Sequence, residues 1–118
     1  MKINEIKEIL GAEVVCGADM LDREVRCAFA SDMMSDVLAY AKAKSVLLTG
    51  LVNPQTIRTA LMLDMKCVVF VRDKKLSQEV ISLAADSGMV VLSTDCRMFE
   101  ACGLLYAKGL QGSGEVDG

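Results

Sequence analysis

The chain has no histidine and no tryptophan, a single proline (Pro54) and only 4% aromatic residues. Each shortage closes off a class of function. Without His there is no imidazole to move protons near neutral pH, and the mixed Cys/His zinc sets are out of reach. With so few rings and no Trp, platforms for stacking unpaired bases are not provided. No apolar run approaches the ~20 residues that cross a bilayer, and residues 1–10 mix charges with isoleucines instead of forming a signal peptide. A cytoplasmic protein that does not engage membranes is therefore expected. The net charge is −3 with no basic run in the sequence. That argues against nucleic acid, which demands several phosphate-neutralising cations on one face.

Cysteine is present but unorganised. Cys16, Cys27, Cys67, Cys96 and Cys102 are odd in number and never spaced C-x-x-C. Neither an all-cysteine zinc site nor an iron–sulfur cluster is supported, so no metal and no cofactor is expected. Cys67 lies in an apolar strand pattern and Cys102 on an apolar helix face, which reads as free, buried thiols in a reducing compartment. Also missing are the Gly-x-x-x-x-Gly-Lys-Ser/Thr and Gly-x-Gly-x-x-Gly phosphate loops and any serine in a nucleophile elbow. Asp32, Asp36, Asp73 and Asp95 read more simply as caps or surface charges than as metal ligands. No catalytic set is recognisable, and the chain is not expected to be an enzyme.

What is present is a core. Apolar residues make up 53% of 118, enough for one domain that buries about two thirds of its unfolded surface. The chain is organised around residues 46–60. Val46-Leu47-Leu48 is too short for a helix and is bounded by Gly50, so it reads as a buried strand. Asn53 can then cap the N–H groups of Gln55 or Thr56, and Pro54 suits the first helical position. Ile57, Ala60 and Leu61 follow at helical spacing.

The remaining elements fall in line. Ile3, Ile6, Ile9 and Leu10 predict an N-terminal helix closed by Gly11. Residues 13–16 and 24–29 are strand candidates. Ser31 is expected to cap a helix burying Met34, Val37, Leu38 and Ala41, with Lys42 and Lys44 in its last turn. Residues 67–71 form the clearest strand, followed by a charged turn at 72–75 and a helix capped by Ser77 and ended by Gly88. Residues 89–92 make a last strand, and Ser93-Thr94-Asp95 is expected to open a last helix carrying Met98, Cys102, Leu105 and Tyr106. Three strand–helix pairs in series require parallel strands with right-handed crossovers. The expected fold is α/β: a single domain at residues 1–108 with a mostly parallel sheet flanked by helices on both faces, then a flexible tail at 109–118.

In such a sheet the loops leaving the strand carboxyl ends converge. Here they carry Ser31, Asp32, Thr49, Gly50, Asn53, Arg72 and Thr94, a set of hydroxyls, N–H groups and a guanidinium suited to an anionic, nucleotide-like small molecule. The same residue types cap helices in proteins that bind nothing, so a pocket and a set of well-made turns remain alternatives.

Three segments carry a family resemblance: residues 48–55 (Leu-Thr-Gly-Leu-Val-Asn-Pro-Gln), 69–72 (Val-Phe-Val-Arg) and 98–103 (Met-Phe-Glu-Ala-Cys-Gly). In order and spacing they resemble the small stand-alone DRTGG-domain proteins over nearly all of residues 1–110. That family is similar to the N-terminal domain of HPr kinase/phosphorylase and, more distantly, to that of the Mur ligases. The resemblance implies the same fold and a regulatory rather than catalytic role. It also implies a possible protein partner, a hydrogenase-like iron–sulfur protein or a kinase, while eight Met and 53% apolar residues, more than a domain this size needs inside, predict a homodimer. The name-giving Asp-Arg pair falls at about Leu51 and Val52 here, and the Thr-Gly-Gly stretch near residues 71–73. Thr49 and Gly50 keep the family's chemistry, and Ser31 with Asp32 resembles a Ser-containing turn of the Mur domain. Two functional readings follow: a ligand-sensing regulatory module, or an interaction subunit that docks on a partner and binds nothing small.

Overall fold

Val46, Leu47 and Leu48 are fully buried within strand β3 (Ser45–Thr49), and β4 (Cys67–Phe70) runs parallel beside it, with Val46 opposite Cys67 and Leu48 opposite Val69. These two apolar runs lie in the interior of a five-stranded sheet ordered β1-β5-β4-β3-β2, as their unbroken apolar character predicts. The computed structural model describes residues 1–72 and 75–112. Its elements are α1 (Ile3–Leu10), β1 (Glu13–Cys16), a 3-10 turn (Ala18–Met20), β2 (Cys27–Ala30), α2 (Met34–Tyr40), β3, α3 (Pro54–Met62), β4, α4 (Gln78–Asp86), β5 (Val90–Ser93) and α5 (Met98–Ala107).

From β2 onward the strands are parallel, and each crossover advances one place along the sheet. Crossovers of one hand stepping in one direction leave their helices on one face. Accordingly Val37 of α2, Ile57 and Ala60 of α3, and Val80 and Ala84 of α4 share a core with Leu47, Val68, Phe70 and Val91. The alternate strand residues Val46, Leu48, Val69 and Leu92 point the other way, onto Ile3, Ile6 and Leu10 of α1 and Ala101 and Leu105 of α5. Burial of a side chain of this size contributes about 1.5–3 kcal/mol. β1 is antiparallel to β5 and closes that edge, with a register shift between Val14 and Cys16.

Helix punctuation follows the sequence at α1, α3 and α4. Gly11 closes α1 in the left-handed conformation, φ 59°. Asn53 accepts from the N–H groups of Gln55 (2.8 Å) and Thr56 (3.3 Å), and Ser77 accepts from Val80 N–H (3.3 Å). α2 and α5 begin differently from expectation. The α2 N-cap is Met33, which has no side-chain cap, because Ser31 lies too early and instead accepts from Met33 N–H at 3.0 Å. Of the residues expected to be buried on α2, Val37 is fully buried and Met34 and Ala41 pack half-buried against the same core, while Leu38 is 43% exposed, and α2 ends before Lys42 and Lys44. α5 starts at Met98 after Arg97; Ser93-Thr94-Asp95 does not cap it.

Other expectations are shortened or redirected. The 24–29 strand contracts to β2, since residues 23–25 bond instead to the N-terminus: Ile3 N–H to Arg23 O and Val25 N–H to Met1 O, both 2.9 Å. Residues 109–112, expected to open the tail, are held: Leu110 is buried, and Ala28 N–H donates to Gln111 O at 2.9 Å on the exposed edge of β2. Residues 113–118, and Asp73 and Lys74 of the charged turn, lie outside the described residues. All five cysteines are free, but only Cys67 is fully buried, where desolvation holds its thiol far above the ordinary range. Partial burial raises Cys16 and Cys102 as well.

Candidate functional site

β3 ends in Thr49-Gly50, and the next residues must turn away from the sheet to start α3. Thr49 makes that turn by accepting the Leu51 N–H on its own hydroxyl at 3.1 Å, a short-range bond typical of Ser and Thr in turns. The turn leaves Gly50 N–H and the Thr49 O–H pointing at the end of β2. Asp32 receives both: its Oδ1 accepts from Gly50 N–H at 2.7 Å and from Thr49 Oγ1 at 3.1 Å. Its Oδ2 meets Arg72 Nη2 at 3.3 Å.

Arg72 comes from the end of β4 and reaches back across β3. Its backbone is left-handed, φ 68°, and its N–H is fixed by Cys96 O at 2.8 Å. The guanidinium then lies against Gly50, so close that a Cβ there would sit 2.6 Å from Arg72 Cζ. Gly50 is required for this approach, not for any unusual φ. With side chains 41% and 51% exposed, the Arg72–Asp32 pair itself contributes about 0–1 kcal/mol. Its importance is geometric.

Four of the seven expected residues are thus brought together: Asp32, Thr49, Gly50 and Arg72. Ser31 is adjacent but serves its own turn. The Asn53 side-chain oxygen is committed to the α3 cap. Thr94 turns to the opposite face, where its buried hydroxyl donates to Leu10 O at 2.8 Å and accepts from Cys96 N–H at 3.2 Å. The reason is topological: α5 leaves β5 on the α1 side of the sheet, so the β5 exit loop diverges from the others.

An N–H group, a hydroxyl and a guanidinium converging on one point form an anion receptor. Here the anion is internal, the Asp32 carboxylate. The Arg72 side chain that holds it stays 41% exposed. Among the described residues no group of His, Cys, Asp and Glu is arranged to hold a metal.

Concavities lie elsewhere among the described residues. One of ≈ 450 Å³ borders α5 between Cys96, Phe99, Glu100, Gly103 and Leu104, and one of ≈ 200 Å³ lies under residues 110–112. A third, of ≈ 350 Å³, gathers Arg23, Glu24, Arg26, Lys44, Asp64 and Lys66. The sequence shows no basic run because these cations come from separate loops. The available signal was a cation immediately before each of β2, β3 and β4.

A comparison with curated protein sequences finds no match. Among solved structures, the chain is similar to the CBS and DRTGG domains of the regulatory region of a Clostridium perfringens pyrophosphatase, complexed with its activator diadenosine tetraphosphate. The TM-score is 0.70 at 16% identity over 88% of this chain, which spans 45% of that one. A family model described as the DRTGG domain matches residues 5–107. With nearly the whole folded chain matched, the protein belongs to the DRTGG domain family.

Proposed function

We propose that this chain is a non-catalytic regulatory module that senses an anionic, nucleotide-like small molecule at the Asp32–Thr49–Gly50–Arg72 cluster. The observation that carries the reading is the Arg72 guanidinium held over Gly50, beside an N–H and a hydroxyl already spent on a carboxylate. An incoming phosphate would find the fork of Arg72 pre-placed and would compete with Asp32 for its donors. The family relative whose regulatory region is complexed with diadenosine tetraphosphate suggests the probe. Five free cysteines support a reducing, cytoplasmic setting.

The test is a thermal-shift series with diadenosine tetraphosphate, mononucleotides and nucleotide-sugars. A ligand at about 100 times its dissociation constant adds roughly 2.7 kcal/mol. Arg72→Ala is expected to abolish the shift. Asp32→Asn is expected to tighten binding about fivefold, since a unit charge at 4 Å is worth about 1 kcal/mol even in water. A shift that survives Arg72→Ala, or is lost in Asp32→Asn, refutes the site.

A second reading, that the chain works as an interaction subunit, is favoured by one observation: Phe99 is 87% exposed and, with Leu104, forms an apolar outer face of α5. This face suits a second copy of the chain in a homodimer, or a hydrogenase-like or kinase partner.

A further inference from the structure

The amino edge of the sheet carries a second charged constellation, on the opposite side of the molecule from Arg72. β1 is antiparallel to β5 and so ends at the amino edge, while β2, at the far side of the sheet, begins there. Residues 17–26 must therefore cross beneath the whole edge. Arg23 and Arg26 lie on this crossing. Lys44 and Lys66 immediately precede β3 and β4, whose register places their starts side by side. Together with Glu24 and Asp64 they line the ≈ 350 Å³ concavity. Four cations against two carboxylates leave a local excess of two positive charges on a chain whose net charge is −3.

Part of this cluster has a structural explanation. α4 points its carboxyl end at this edge, and cations are favoured there. Arg23 Nη1 donates to Gly88 O, just beyond α4, at 2.9 Å, and Lys66 pairs with Asp64 at 2.9 Å. Arg26 and Lys44 are not explained this way. No helix directly precedes β2, and α2 ended at Tyr40. Their backbones are joined, Arg26 N–H to Lys44 O at 2.8 Å, so two like charges are tied next to one another. Among the described residues neither side chain has a hydrogen-bond or ion-pair partner. Lys44 is moreover held in the left-handed region at φ 67°. Arg23, anchored at Gly88, supplies a third cation whose position is fixed before any ligand arrives.

We propose that this concavity is a binding site for a compact di- or polyphosphate group, gripped by Arg26 and Lys44 with Arg23 as the fixed wall. Two adjacent unpaired cations call for two adjacent negative charges, which a single carboxylate or chloride does not supply. The volume lies at the small end of the ligand-site range and admits a diphosphate but not a whole dinucleotide. Glu24 and Asp64, which also line the concavity, repel a diffuse anion and favour one dense enough in charge to outweigh them. The phosphate group is either free or carried on a nucleoside, and the probes separate these two sources.

The experiment is titration calorimetry at fixed ionic strength with inorganic pyrophosphate, ADP and sulfate, on the wild-type chain, Arg26→Gln/Lys44→Gln and Arg72→Ala. Both exchanged side chains are exposed, and amide spectra confirm that the double variant stays folded. Pyrophosphate is expected to bind the wild type and to weaken about a hundredfold in the double variant, about tenfold for each charge-assisted hydrogen bond removed. Arg72→Ala leaves it unchanged. Amide shifts on pyrophosphate addition centre on residues 26, 44 and 66. ADP binding as tightly as pyrophosphate, and through the same residues, identifies a carried diphosphate; markedly weaker ADP binding identifies the free anion. The proposal is overturned if sulfate matches pyrophosphate, if the double variant binds as well as wild type, or if Arg72→Ala alone abolishes binding. Failure here leaves the Arg72 cluster untouched, since that site is read out by its own variant.

Discussion

Arg72 is the residue on which the carboxyl-edge cluster turns, and it occupies a conformation that L-residues avoid. A left-handed φ of 68° costs a side-chain-bearing residue about 1–2 kcal/mol relative to glycine. The Cys96 carbonyl on its N–H and Asp32 on its guanidinium hold it there, and strain kept in this way is a mark of functional positions. Arg72→Gly is therefore expected to unfold at higher urea than Arg72→Ala. The gap should be about 1 kcal/mol, although both variants lose the same ion pair. Equal stabilities in chemical denaturation would show that the backbone there is unstrained and leave Arg72 an ordinary surface residue.

At the scale of elements, three strand-exit turns open a helix in three ways. Asn53 caps α3 directly, with Pro54 behind it. The turn before α2 gives Ser31 a bond to Met33 N–H but leaves the helix start without a side-chain cap. The turn before α5 lends its threonine to the Leu10 carbonyl, and the Glu100 carboxylate reaches back to Arg97 N–H at 3.5 Å. Asn53→Ala should accordingly cost about 1 kcal/mol, the usual loss for an N-cap. Ser31→Ala should stay within about 0.5 kcal/mol, as a half-buried turn position with no cap to lose. Urea midpoints of the two variants check both figures, and a larger loss at Ser31 would show that its turn, not its capping, carries stability.

Over the whole molecule, the single direction of winding decides which surfaces remain open. α2, α3 and α4 pack on one face, while α1 and α5 share the other. α5 is apolar nearly all round: Ala101 and Leu105 face the core, yet Phe99, Leu104 and Tyr106 face outward. A helix of that composition is normally covered on every side, and an exposed apolar patch of this kind marks an interaction surface. Light scattering at tens of micromolar, a working order of magnitude for such dimers, is expected to give a dimer. Phe99→Glu should shift it to a monomer with the helical content unchanged. A wild-type monomer would leave the α5 face to a different partner.

Much of this was determined by sequence alone. The element order, the two interior strands and the Asn53 and Ser77 caps follow from local signals, because periodicity, capping and apolar runs act within a few residues. Family membership follows from the residues that carry those signals. What depended on tertiary structure is how residues distant in sequence share space. Ser31, Asp32, Thr49, Gly50, Asn53, Arg72 and Thr94 all lie at strand exits, but only the face on which each helix leaves decides which of them meet. Thr94 is lost to the opposite face, and Asp32 becomes the hub of the cluster. The basic concavity was equally invisible as a run, since Arg23, Arg26, Lys44 and Lys66 sit on loops that only the parallel register brings to one edge. Side-chain direction at a helix start is likewise decided by where the previous strand ends, which is why Ser31 and Ser93-Thr94-Asp95 read as caps and are not. Local interactions write the elements; the winding of the sheet chooses the site.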